Sequence, residues 1–300
     1  MRISCLHPFI REIPQLVDEL GLPVRQVFPC GKCPVCRSKD AKDWMLRLQY
    51  EADNSINPSF LTLTYNEKNV VRFGSVPVLV KRDLQLFVKR LRRRLEREFP
   101  HLPPFRFFGV GEYGGNTGRP HYHVICFNMP PIRDARKIIE SCWQKGFITY
   151  DAVSPSRIAY VASYANYAQL FVDDKDTEIP PTFRVMSRRP GIGAGFTEDR
   201  RRSAFYRDGE SRGITYHGIR YRFPRYFRDR IFFTEESRLR LQTDSLRFIE
   251  NEDRHYEQVY GQFDEDRVKR GLPTVREEAQ MKFLDDLRKK YIIHKLHRKL

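Results

Sequence analysis

The sequence predicts an α+β domain with helices packed on an antiparallel sheet, and three observations carry that prediction. β-Branched and aromatic runs at 60–65, 105–113, 121–127 and 146–151 have the composition of strands. Segments with apolar residues at helical spacing lie around them, at 37–54, 81–99, 130–143 and 157–170. The runs at 105–113 and 121–127 are separated by Gly, Asn, Thr, Arg and Pro, which makes them a hairpin. The resulting order of strand, helix, hairpin, helix, strand, helix belongs to this class.

Taken in order, the chain opens on a cysteine-rich segment. Cys30, Cys33 and Cys36 follow a C-x2-C-x2-C spacing. The start, Met-Arg-Ile-Ser-Cys-Leu-His-Pro, lacks the apolar core of a secretory signal, so thiols are expected to stay reduced and metal ligation is favoured over disulfides. A structural zinc needs four donors, and Cys5 or His7 could complete the set. A turn of small residues is the plainer reading of the same cluster. Cys126 and Cys142 sit in apolar surroundings and read as core.

Residues 37–54 form an amphipathic helix that Asn57-Pro58 ends, and Phe60-Leu-Thr-Leu-Thr-Tyr65 reads as a central strand with one face toward the helices. Residues 66–80 read as loop. The stripe Leu84, Phe87, Val88, Leu91, Leu95, Phe99 marks a second helix, whose outer face of arginines and lysines suits either DNA phosphates or solvent. After the hairpin come a helix from Pro130 to about Trp143, a strand at 146–151 and an alanine-rich helix from Pro155–Ser156 onward. Residues 171–200 read as an extended loop in which Arg188 and Arg189 of Ser187-Arg-Arg-Pro-Gly-Ile-Gly193 could grip a phosphate, a surface linker being the alternative. Beyond 200, short strands alternate with basic segments, and from Phe232 the chain is charged and helical to a basic ending at 288–300. The expected organisation is a Cys-rich segment and helix (1–55), a core (56–172), a basic extension (173–230) and a mostly helical C-terminal region (231–300).

Charge narrows the partner. Lys and Arg total 54 against 38 Asp and Glu, a formal net charge of +16 in 300 residues, the profile of a protein that meets nucleic acid or another anionic surface. With 40% hydrophobic residues the chain is globular. No apolar run approaches the ~20 residues of a membrane span, so a soluble intracellular protein is expected.

The hairpin carries the chemistry. On a strand, His121, His123, Ile125 and Phe127 share one side. If Val110 pairs with His123, then Glu112 falls opposite His121 on that same side, and two imidazoles and a carboxylate converge. That donor set suits Mn²⁺, Zn²⁺ or Mg²⁺ with positions left open for water or a phosphate oxygen. The plain alternative is an incidental His-x-His. In the helix that follows, Tyr160 and Tyr164 stand four residues apart, on one face, with Tyr167 near the same stripe. They are either nucleophiles or half-buried packing residues. Tyr122, between the two histidines, faces the opposite side and reads as core.

Phe60-Leu-Thr-Leu-Thr-Tyr65, then Gly-Glu112-Tyr-Gly through Gly-Arg-Pro-His121-Tyr122-His123, then Tyr160-Val-Ala-Ser-Tyr164 resemble, in order and spacing, the three motifs of the HUH rolling-circle replication initiators. Within that superfamily the chain is similar to the initiators of gokushovirus-type microviruses, small single-stranded DNA phages. Pro29-Cys30-Gly-Lys-Cys33-Pro-Val-Cys36-Arg37 with Trp44, Met186-Ser-Arg-Arg-Pro-Gly-Ile-Gly193 and Phe223-Pro-Arg-Tyr226 carry this narrower likeness, which covers most of residues 1–230.

The resemblance implies a ferredoxin-like or RRM-like sheet, the HUH endonuclease fold, with His-x-His on a central strand and the tyrosine helix across it. It further implies a metal-dependent site-specific nickase and strand transferase: Glu112, His121 and His123 hold Mg²⁺ or Mn²⁺, and Tyr160 or Tyr164 becomes a 5′-phosphotyrosine. Implied partners are single-stranded DNA at the phage replication origin and the host helicase and polymerase, in the host cytoplasm and with no membrane. One departure stands out. The family's tyrosine helix usually carries a lysine soon after the second tyrosine, where this chain has Ala165, Asn166 and Tyr167, so Arg119 or Arg157 is expected to supply the charge near the phosphate.

Rival readings use fewer of these residues. A non-enzymatic zinc-dependent DNA-binding protein centred on the cysteines accounts for the charge without Glu112. The three alternating histidines of some nucleotide hydrolases fail at Ile125, and a cupin-like site lacks its acidic residue after His123.

Overall fold

The computed structural model describes residues 5–17, 21–114, 117–167, 179–209 and 213–296. At the start, β1 (Phe9–Val17) and β2 (Pro23–Phe28) pair as an antiparallel ribbon. Helix α1 (Pro34–Asp53) follows, opening on a proline whose missing amide costs nothing in the first turn. The chain continues through β3 (Ser59–Tyr65), the two-residue strands β4 (Arg72–Phe73) and β5 (Val76–Pro77), and α2 (Lys81–Glu98). Next come β6 (Arg106–Tyr113), β7 (Pro120–Phe127), α3 (Ile132–Cys142), β8 (Gly146–Ala152) and α4 (Pro155–Tyr167). The remainder comprises β9 (Phe183–Met186), α5 (Gly195–Glu198), α6 (Arg200–Asp208), β10 (Ile214–Tyr216), β11 (Ile219–Tyr221), α7 (Arg225–Ile231), α8 (Glu235–Lys269) and α9 (Val275–Leu296).

These elements fall into two compact units. One is built on Trp44–Gly195, the other on Met1–Asp43 together with Phe196–Tyr291.

In the first unit, five strands form an antiparallel sheet in the order β8-β3-β7-β6-β9. Its first four strands, with α2 between β3 and β6 and α3 between β7 and β8, make the βαββαβ plan of a ferredoxin-like fold. Strand parity sorts the side chains into two cores. Leu61, Leu63, Tyr65, Tyr122, Val124 and Cys126 point to one face, where Leu84, Phe87, Leu91, Ile138, Ile139 and Cys142 from α2 and α3 cover them. Phe60, Phe108, Val110, Ile125 and Phe127 point to the other, under Trp44, Leu48, Ile158 and Val161 from α1 and α4. The alternation in β3 predicts helices on one side only; helices cover both, because a sheet bearing apolar residues at both parities must bury both.

The face away from α4 holds a buried polar network. The Tyr122 and Tyr65 hydroxyls lie 2.6 Å apart, and Tyr65 donates to Asp83 Oδ2 at 2.7 Å. Tyr122 donates to the Val80 carbonyl at 3.0 Å and accepts from the Val80 amide at 3.1 Å, while Lys145 Nζ lies 3.2 Å from Asp83. Burial pushes the Tyr122 phenol up to about 12 despite these bonds, which fits the core role expected of it.

Two sequence expectations need correction. In place of an extended loop throughout 171–200, Phe183–Met186 is a strand on the sheet edge, paired with β6. Four residues are too few for alternation to announce, and the partner lies some 75 positions away. Beyond 200 the expected short strands reduce to the β10–β11 hairpin, and α6 and α7 occupy the basic segments. Those helices place Tyr206 and Phe227 against Phe196, the latter stacked at 4.6 Å between ring centroids. The side chains of the basic ending from Lys290 on lie outside the described residues.

Candidate functional site

The hairpin register is the one strand parity called for. Glu112 pairs with His121 and Val110 with His123 across β6 and β7, while Thr62 and Thr64 of β3 lie opposite His123 and His121. A fully buried carboxylate results. Its Oε1 is 2.7 Å from His121 Nε2 and 2.8 Å from His123 Nε2, and Tyr160 from α4 donates its hydroxyl to the same oxygen at 2.8 Å. The second oxygen, Oε2, is buried with no hydrogen-bond partner among the described residues.

Backbone and side-chain contacts fix the imidazoles. His121 Nδ1 lies 3.1 Å from the Arg119 carbonyl, which can only accept, so Nδ1 carries the proton and Nε2 of the neutral ring presents a lone pair. His123 Nδ1 lies 3.0 Å from Thr62 Oγ1. The His123 ring stacks on Phe60 at 5.1 Å and meets the Tyr160 ring edge-on at 5.3 Å. Burial alone would raise the Glu112 carboxyl, but the hydrogen bonds from His121 and His123 outweigh it and hold it at about 2.

This donor set fits a divalent cation. In the neutral tautomer of His121 a lone pair faces a carboxylate oxygen at 2.7 Å, an arrangement that needs a positive charge between or on the partners. The unpartnered Oε2 asks for the same. The ligand atoms of Glu112, His121 and His123 all lie within 4.8 Å of one another. Two imidazoles and one carboxylate leave further coordination positions for substrate oxygen.

The other sequence candidates are placed as follows. Tyr164 and Tyr167 belong to α4, and their side chains lie outside the described residues. Arg119 bonds the Tyr65 carbonyl at 2.6 Å and pairs with Glu67, so it serves the site through its own carbonyl on His121. Arg157 pairs with Asp151 at 3.0 Å and stacks over Phe60, the ring beneath His123. Arg188 and Arg189 are exposed, and Arg188 forms an isolated bridge with Gly191. Cys5, Cys30, Cys33 and Cys36 do come together in the other unit, whereas Cys126 and Cys142 are core. His7 is exposed and is not part of that cluster.

Sequence reasoning missed two contributors on the metal-facing side. Thr62 reaches His123 only because β3 pairs with β7, a contact between residues 61 positions apart. Arg184 stands opposite Val110 on β9, which puts it on the same face as Glu112, and its guanidinium lies over Trp44 at 5.2 Å. Only the strand character of Phe183–Met186, had it been recognised, could have signalled it.

Comparison with known proteins agrees with the motifs. Residues 58–169 match the family model for replication-associated protein ORF2. The chain is 31% identical over 220 residues to replication-associated protein VP4 of Bdellovibrio phage phiMH2K, covering 67% of this chain and 66% of that protein. It is 28% identical to replication-associated protein ORF4 of Chlamydia phage 1, over 76% of this chain and 58% of that one. To replication-associated protein ORF2 of Spiroplasma virus 4 it is 31% identical, over 68% of this chain and 67% of its relative. The matched region therefore spans a little under two thirds of the first two relatives. A solved N-terminal nuclease domain of the minute virus of mice non-structural protein 1, described with Zn²⁺ in its active-site pocket, is 12% identical; it covers 52% of this chain and 82% of that one, and at a TM-score of 0.22 it carries no argument. No helix among the described residues is long and apolar enough to cross a membrane. On the matches to the family model and to the phage proteins, this chain belongs to the phage replication-associated protein family.

Proposed function

We propose that this protein is an HUH-type rolling-circle initiator, a metal-dependent endonuclease and strand transferase that nicks single-stranded DNA at a phage origin and rejoins the ends. One observation carries the reading: the Tyr160 hydroxyl lies 2.8 Å from the same Glu112 oxygen that both histidines reach. A phenol held at the edge of a cation site is placed for attack on a phosphate there.

In the proposed reaction Tyr160 Oη bonds to phosphorus and the P–O3′ bond breaks. The electron pair leaves with O3′, which takes up a proton while the phenol loses its own, so no water and no net proton is consumed. The product is a 5′-phosphotyrosine and a free 3′-hydroxyl. Because one phosphodiester replaces another, a later 3′-hydroxyl can reverse the step and seal the strand. Tyr164, four residues on, is the second nucleophile for that round. Glu112, His121 and His123 bind the cation, and when bound Mg²⁺ or Mn²⁺ supplies Lewis-acid polarisation of a non-bridging phosphoryl oxygen. Arg184 and Arg157 add positive potential on this face of the sheet. The free 3′-end is a primer, so a host polymerase and helicase in the host cytoplasm are the partners this chemistry calls for.

Incubating the full chain with circular single-stranded phage DNA and Mn²⁺ should yield a covalent adduct that withstands denaturation. EDTA should abolish it, and Tyr160→Phe should lower its rate at least ~10³-fold, as expected for loss of a nucleophile. Undiminished adduct in the Tyr160→Phe, Tyr164→Phe double variant, or in EDTA, overturns the assignment.

A further inference from the structure

We propose that Cys5, Cys30, Cys33 and Cys36 bind a single zinc ion, a site with all-sulfur donors that is independent of the Glu112 centre. It fastens the segment around Cys5 to the first turn of α1.

The geometry is that of a closed tetrahedral site. All four sulfurs lie within 4.8 Å of one another, and Cys5 Sγ is 3.8 Å from Cys33 Sγ. Four bonds of about 2.3 Å at tetrahedral angles put sulfurs roughly 3.8 Å apart. A disulfide needs about 2.05 Å, and all six cysteines are unpaired. A polynuclear iron–sulfur cluster must fit several iron atoms and bridging sulfides inside its cysteines, which sulfurs this close together leave no room for. A mononuclear site with soft donors remains, and zinc suits it. His7, the other sequence candidate for the fourth ligand, is replaced by Cys5.

The surroundings are built for thiolates. The Cys30 amide donates to Cys5 Sγ at 3.2 Å, and the Lys32 and Cys33 amides donate to Cys30 Sγ at 3.4 and 3.3 Å. This turn requires Gly31 at φ +73°, the left-handed region; a Cβ there would meet nothing within 4 Å, so the constraint is conformational and not one of space. Cys33 and Cys36 flank Pro34 at the amino end of α1, where unpaired amides favour negative charge. Leu6, Val35, Phe283 and Leu284 close an apolar shell around the sulfurs. Without an ion, four thiols gathered under such a shell gain little from one another. With one, residues from Cys5, the loop before α1, and α9 are held around a common centre.

The test uses the full chain purified under reducing conditions, with metal content read by mass spectrometry and Co²⁺ exchanged in as a spectroscopic probe. One zinc per chain is expected, and the Co²⁺ form should show the intense visible bands of a tetrahedral tetrathiolate. Cys5→His should keep a tetrahedral spectrum with thiolate charge transfer reduced from four sulfurs to three. Cys33→Ser should weaken metal affinity at least tenfold, and His121→Ala with His123→Ala should leave the zinc stoichiometry unchanged. A chain holding no thiolate-bound metal, one that binds iron in place of zinc, or a Cys5→His spectrum identical to wild type would each overturn the proposal. Zinc retained in a protein that never forms the DNA adduct counts against the nickase reading alone.

Discussion

The Arg119 carbonyl decides which nitrogen of His121 faces Glu112, and Thr62 performs a related office for His123. A ring free to rotate would present its lone pair to the carboxylate only part of the time, so these partners preorganise the donors. Replacing Thr62 by Val keeps the β-branched shape and the strand while removing the oxygen 3.0 Å from Nδ1. Mn²⁺ affinity measured by calorimetry should fall about 10- to 100-fold, in line with outer-shell effects elsewhere. An unchanged affinity means that stacking on Phe60 alone fixes the ring. At this scale the sequence is informative where a period of two suffices: parity places Glu112, His121 and His123 on one face before any coordinates exist. It is silent about Thr62 and the Arg119 carbonyl, because one depends on pairing between distant strands and the other on a backbone atom common to every residue.

Among the elements, β9 is the one that sequence periodicity conceals and that the site uses. It runs along β6 with Phe183 opposite Gly111, and a Cβ on Gly111 would sit 2.8 Å from the Phe183 ring and 3.2 Å from Leu79. Gly111→Ala should therefore push β9 off the edge and cost ~1–3 kcal/mol in a denaturant titration, the range for overpacking. Adding Phe183→Leu should recover most of it; equal destabilisation in the double variant points instead to lost backbone freedom. The same strand delivers Arg184 opposite Val110, on the face where the tyrosine helix has Ala165, Asn166 and Tyr167 in place of the lysine its motif leads one to expect. If Arg184 supplies positive charge to a bound phosphate, Arg184→Gln should slow adduct formation about tenfold, the ~1.4 kcal/mol of one exposed charge-assisted contact, and leave Mn²⁺ affinity as it was. A loss of Mn²⁺ affinity would make it a structural residue. The helices that frame the sheet are all legible from their apolar stripes, since α1, α2, α3 and α4 each bury one face.

Over the whole molecule, sequence reading yields a linear partition and does not reveal that Met1–Asp43 joins Phe196–Tyr291 in one unit, because that union rests on contacts such as Leu6 and Cys30 with Phe283 and Leu284. Net charge needs no such contacts, and it makes a prediction of its own. At +16 the protein should bind single-stranded DNA largely by releasing counterions. Its log affinity should then fall linearly with log salt, with a slope of about −0.7 for each phosphate neutralised. The cation centre is a small part of that surface, so His121→Ala with His123→Ala should abolish the adduct while leaving the salt slope within about one unit of wild type. Binding and cleavage would then separate in one protein. If affinity hardly responds to salt, the basic excess serves some other partner; if the double variant loses binding altogether, recognition is concentrated at the metal-facing side of the sheet and the charge elsewhere is incidental.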